Sequence, residues 1–193
     1  MVAEILKHLT QSEGLHTRAQ VLGTPSCVPQ SAGFYGWYFR ELPDDVPSMG
    51  CAVQDGATLL YVGIAPRSPS SQRTLRSRLV EHMRGNASGS TLRLSMGCLL
   101  ASRLGLELRR TSPLGRRLTF GPGERILSDW FEKNARVAFH AVQNPWQLEP
   151  EIISALSLPL NLEHNEGHDF SRVLSRRRSE AKKRAAALPS WAI

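Results

Sequence analysis

Gly33-Phe34-Tyr35-Gly36-Trp37-Tyr38-Phe39 and Thr58-Leu59-Leu60-Tyr61-Val62-Gly63-Ile64 decide how this chain folds. Phe34 to Phe39 is dense in aromatics and bounded by Gly33 and the Pro43 to Pro47 turn region, which predicts a strand. Thr58 to Ile64 is a nearly continuous apolar run and predicts a second. A polar loop, Glu41 to Ala57, separates them, and two strands joined in this way pair most easily antiparallel.

Working outward, Pro66 to Gln72 reads as a Ser/Pro-rich turn and Arg73 to Arg84 as a helix stopped by Gly85 and Asn86. Thr91 to Leu104 predicts a second helix, capped by Ser90 or Thr91. Leu106 to Phe120 reads as a hairpin around Ser112-Pro113-Leu114-Gly115. Glu124 to Asn134 is helical and Arg136 to Val142 a strand. Trp146 to Leu156 is again helical, and Leu158 to Asn165 leaves it extended. At the N-terminus, Glu4 to Leu9 and Thr17 to Leu22 have helical spacing, with Thr17 as N-cap and a Pro-containing connector from Gly23 to Ala32. Phe170 to Ala187 predicts a strongly basic helix. The expected architecture is α+β, a small mainly antiparallel three-stranded sheet flanked by helices. It divides into an N-terminal helical extension (1–29), a central domain (30–167) and a basic C-terminal helix (168–193).

Composition narrows the class. The 193 residues are 41% hydrophobic, enough for one domain with a core. No apolar run is long enough to span a membrane, and the N-terminus does not read as a secretion signal. The formal net charge of +7 favours a polyanionic partner, nucleic acid first. Cys27, Cys51 and Cys98 are widely spaced and odd in number, so unpaired structural thiols and a cytoplasmic location are expected.

Four places look chemical. In the helix from Trp146, Ile152, Ile153 and Leu156 form the apolar stripe; Glu149 falls inside it and Glu151 outside. An ionised carboxylate aimed at a core needs a metal ion, an arginine or a raised pKa. Otherwise Glu149 only favours the helix N-terminus electrostatically. In the helix from Arg73, Leu75, Leu79 and Met83 form the stripe, with Arg78 and His82 as i, i+4 neighbours at its edge and Ser77, Glu81 and Arg84 outward. That pair reads either as a phosphate site, a guanidinium fork beside a proton-carrying imidazole, or as a solvated basic face. Tyr35 and Tyr61 each stand near a strand glycine, as packing residues or as activated phenols. His164, His168 and Asp169 have a spacing that permits a transition-metal site, although Gly167 interrupts a helix there.

Taken in order, these motifs resemble the GIY-YIG nuclease family. Gly33-Phe34-Tyr35 matches its first motif, with Phe34 in place of the usual Ile or Val, and Tyr61-Val62-Gly63 its second. Arg78, within Leu75 to Leu79, matches the family arginine, and His82 stands where several members carry histidine. Glu149 matches the metal-binding glutamate and Asn161, in Leu160-Asn161-Leu162, the closing asparagine. A second histidine of some homing enzymes has no match near Ser88 to Ser90. The resemblance covers about residues 30 to 165 and implies endonucleolytic hydrolysis of DNA, leaving 5′-phosphate and 3′-hydroxyl ends. It implies one Mg²⁺ (or Mn²⁺) on Glu149, Tyr35 as proton acceptor and Tyr61 as orienting group. Arg78 and His82 would assist Tyr35, and Asn161 would brace the site. Arg76, Arg84, Arg176, Arg177, Arg178, Lys182 and Lys183 are expected to add phosphate contacts. The alternative is a nucleic-acid-binding protein on the same fold that does not cleave.

Overall fold

Phe34 to Phe39 is a strand with no solvent-facing side: every residue of β1 (Gly33–Phe39) is buried. A computed structural model, which describes residues 1–191, shows why. Preceding it are α1 (Val2–Thr10) and α2 (Arg18–Leu22); following it are β2 (Val53–Gln54), β3 (Ala57–Ala65), α3 (Leu75–Arg84), α4 (Thr91–Leu99) and α5 (Ala101–Leu104). Then come β4 (Arg109–Arg110), β5 (Leu118–Thr119), α6 (Gly123–Asn134), β6 (Ala135–Ala141), α7 (Glu149–Ser154) and α8 (Asp169–Ala187). The main sheet runs β2-β3-β1-β6, with every neighbouring pair antiparallel. β1 is therefore central and covered on both faces.

Tyr35, Trp37 and Phe39 enter one core with Leu75, Leu79 and Met83 of α3, Leu127 and Phe131 of α6, and Leu174 of α8. Phe34 and Tyr38 enter the other, with Ile5 and Leu9 of α1 and Ile152 and Ile153 of α7. This is the α+β sandwich of sheet and helices expected from the sequence, with one addition. The sheet has four strands, because Val53 and Gln54 inside the polar loop pair with Thr58 and Ala57. A two-residue strand has no periodicity to read.

Several boundaries move for local reasons. The helix expected from Arg73 begins at Leu75, since Thr74 and Ser77 form a reciprocal capping box. The helix expected over Thr91 to Leu104 breaks at Leu100 into α4 and α5. The helix expected from Trp146 becomes a 3-10 turn, Pro145–Gln147, and then α7. Pro150 is accommodated because it sits in the first turn of α7. Ser90 caps α4, its hydroxyl accepting from the backbone N–H of Arg93. The hairpin expected between Leu106 and Phe120 is present as β4 and β5. Among the described residues no helix is long and apolar enough to cross a membrane, and Cys27, Cys51 and Cys98 are all free thiols.

Candidate active site

A bulge in β3 assembles the site. Register with β1 shifts between Trp37 and Tyr38, which oppose Tyr61 and Leu59 and leave Leu60 as the extra residue. Strict alternation would send Tyr61 to the face of Leu59. The extra residue instead turns Tyr61 toward the core of Tyr35 and Trp37. Tyr35 pairs directly with Gly63, and residues so opposed share a face. The Tyr35 hydroxyl takes the volume a side chain at residue 63 would need: a Cβ there would lie 2.6 Å from it. The two tyrosine rings stand 6.4 Å apart.

Behind them, Tyr35 OH lies 3.0 Å from His82 Nε2, and His82 Nδ1 lies 2.6 Å from Ser90 Oγ. All three side chains are buried. Burial holds the His82 imidazole well below its ordinary pKa, and the Arg78, Arg93 and Arg73 cations push it the same way. His82 is therefore neutral. Burial likewise raises the Tyr35 phenol, with Tyr61 adding to the rise and Arg78 opposing it. The buried Arg93 supports His82 from the far side. It donates to the His82 carbonyl and forms an ion pair with Glu124 at 2.8 Å.

Arg78 Nη1 donates to Glu81 and to the Gly89 carbonyl, both at 2.8 Å, while its buried Nε has no protein partner. Glu81, expected to face outward, folds back to pair with both Arg73 and Arg78. A carboxylate between two cations in a half-buried position gains more than one in open solvent.

Asn161 is fully engaged. Its Oδ1 accepts from Val62 N–H at 2.9 Å and its Nδ2 donates to Val62 C=O at 2.8 Å. It thus imitates one more strand residue on the edge of β3 and fixes the backbone beside Tyr61.

Glu149 opens α7 and is half-buried. Burial raises its carboxyl pKa, with Arg67 opposing and Glu163 adding to the rise. It lines a cleft of about 250 Å³ with Tyr61, Asn161, Arg67, Thr91 and Arg178. A second cleft, about 330 Å³, contains Arg78, Arg73 and Gly89 and shares Arg67 and Thr91 with the first. Glu149, Tyr61, Asn161 and Arg78 therefore border adjoining space. Tyr35 and His82 line neither cleft; they form the buried layer behind it.

The remaining candidates are dispersed. Arg84, Arg176, Lys182 and Lys183 are exposed, Arg76 is half-buried, and Arg177 is paired with Asp45. Arg178 alone of the α8 cations reaches the Glu149 cleft. The transition-metal arrangement of His164, His168 and Asp169 is not formed. His168 caps α8, its Nδ1 accepting from Phe170 N–H, and His164 is exposed. Among the described residues no three His, Cys, Asp or Glu side chains gather to hold a metal. Glu149, with Glu163 in the same polar cleft, does suit a hard, oxygen-preferring ion that keeps most of its waters. Sequence reasoning treated Ser90 and Thr91 only as alternative caps, and it passed over Arg67.

The small antiparallel sheet thus carries two phenols, with an arginine and a carboxylate on adjoining clefts. The family model described as GIY-YIG catalytic domain matches residues 33–180, well over half of the sequence. The chain belongs to the GIY-YIG family of nuclease domains. No curated protein and no solved structure matches it.

Proposed function

We propose that the protein is a divalent-metal-dependent endonuclease that hydrolyses DNA phosphodiester bonds to 5′-phosphate and 3′-hydroxyl ends. The observation that carries this reading is the cleft shared by Glu149, Tyr61 and Asn161, continuous through Arg67 and Thr91 with that of Arg78. Glu149 would hold one Mg²⁺ or Mn²⁺ ion, which supplies charge neutralisation at the phosphate and at the departing 3′ oxygen.

The chain's own groups do the rest. Water oxygen attacks phosphorus and the bond from phosphorus to O3′ breaks, with the electron pair leaving on O3′, which takes a proton from solvent to become the 3′-hydroxyl. Tyr61, the phenol facing the cleft, orients the water or the phosphate. Arg78, on the wall of the second cleft, offers its guanidinium to a phosphate oxygen while Glu81 and Gly89 fix Nη1. Tyr35 and neutral His82, 3.0 Å apart, form the buried layer behind Tyr61, and the attacking water gives up its proton to solvent. Asn161 holds β3 in register under Tyr61.

The enclosure of Tyr35 favours a second reading, a DNA-binding domain without cleavage. Its phenol is 1% exposed and its pKa is raised. Nicking of supercoiled plasmid with Mg²⁺, against an EDTA control and against Glu149→Gln, separates the two. The endonuclease reading expects nicking by the wild type alone; nicking by neither protein leaves the binding domain.

A further inference from the structure

α8 carries a charge in the wrong place for a solvated basic helix. Leu174, Arg178, Ala181 and Ala185 are spaced at i, i+4, i+7 and i+11, one stripe of the helix. Leu174, Ala181 and Ala185 are buried against the α3–α6 side of the sheet. Arg178 is thus directed inward with them, whereas Arg176 is exposed and Arg177 is paired with Asp45. It reaches the cleft of Glu149 and Tyr61. Its Nε is buried without a partner, and among the described residues no carboxylate forms a salt bridge with it. The other arginine of that cleft, Arg67, is engaged by Glu163.

A guanidinium stays charged even when burial disfavours it, as it does here. Seating it without an anion costs stability unless one arrives. Small Ala181 and Ala185 below it let α8 sit close while the long stem extends to the cleft.

We propose that Arg178 is a catalytic residue of this site, its guanidinium binding a non-bridging oxygen of the phosphate held over Glu149. This rests on the endonuclease reading. The planar fork matches two phosphate oxygens. α8 is then part of the active site, and its other cations serve the flanking backbone.

The test is Arg178→Met, which retains the stem and removes the charge. Two quantities are measured: the single-turnover rate of Mg²⁺-dependent plasmid nicking at saturating enzyme, and the salt slope of binding to a short DNA duplex in EDTA. The expected result is a rate lowered by about 100-fold or more and a log–log salt slope shallower by about one. The thermal midpoint should stay near that of wild type. Nicking by R178M within about threefold of wild type overturns the proposal, whatever the slope. If wild type itself does not nick, the endonuclease reading falls. The slope then decides whether Arg178 binds phosphate at all, and an unchanged slope overturns that too. Should R178M fail to fold by circular dichroism, Arg178→Gln is read by the same criteria.

Discussion

Tyr35 OH and His82 Nε2 are 3.0 Å apart in a layer that solvent does not reach, and Ser90 Oγ closes the other side of the imidazole at 2.6 Å. A histidine enclosed in this way couples folding to protons as well as serving the site. The folded imidazole titrates well below its ordinary value, so below about pH 6.5 the unfolded chain binds the extra proton. Stability is fully present above about pH 6.5 and falls as the pH drops through the window beneath it. His82→Gln should flatten that fall. Urea unfolding of both proteins at pH 7.5 and pH 5 measures it, and parallel losses would show that His82 is not the coupled group.

Glu149 is held half-buried with a raised pKa, so its ionised form opposes folding at neutral pH. Glu149→Gln should therefore raise the thermal midpoint slightly while lowering Mg²⁺-dependent nicking by about 100-fold or more. A melt and a plasmid assay on the same preparation test both. A lower midpoint would contradict the electrostatic account, and wild-type nicking would remove Glu149 from the chemistry.

Gly63 is small because the Tyr35 hydroxyl occupies the space beside it. Gly63→Ala must displace the phenol and break its contact with His82. Overpacking of this kind costs about 1–3 kcal/mol, visible in the urea midpoint. A rise in Tyr35 mobility by NMR should accompany the loss. A stable, unperturbed G63A variant would mean that the ring moves aside freely.

Asn161→Ala leaves the N–H and C=O of Val62 without their partners at 2.9 and 2.8 Å. The expected loss is about 1–3 kcal/mol per stranded group, less where water enters. Asn161→Asp should do worse than a simple loss of one donor, since it points an anion at the Val62 carbonyl. Faster amide exchange at Val62 in both variants is the direct readout; unchanged exchange would show that another group protects this edge.

Much of this architecture was legible because the strongest signals were long. The aromatic run of β1 and the apolar run of β3 were readable as strands, and the helical spacing around Leu75, Leu79 and Met83 marked α3. The short strand β2 was not, because two residues carry no period. The gathering of side chains was only partly readable. Nothing in Thr58 to Ile64 announces the extra residue at Leu60 that turns Tyr61 to the face of Tyr35. Nor does local spacing link His82 to Ser90, which meet only because the turn after α3 returns the chain to the start of α4. Glu81 was misplaced because a wheel gives the direction of Cβ, whereas a long carboxylate between Arg73 and Arg78 folds toward its charges. Arg178 had a visible signal, a cation inside the stripe of Leu174, Ala181 and Ala185, hidden among the many charges around it.

The short β2 has a consequence for the protein in a crowded solution. β2 covers β3 only at Ala57 and Thr58, with one further bond in which Leu59 N–H donates to the Ala52 carbonyl. Beyond that point the edge is covered by Leu160, whose N–H bonds to Leu60, and by the Asn161 amide at Val62. An uncovered strand of this apolarity is a template on which a second chain can add. The segment that steadies Tyr61 therefore also keeps neighbouring molecules from zipping onto the sheet, and whatever loosens it exposes the protein to self-association.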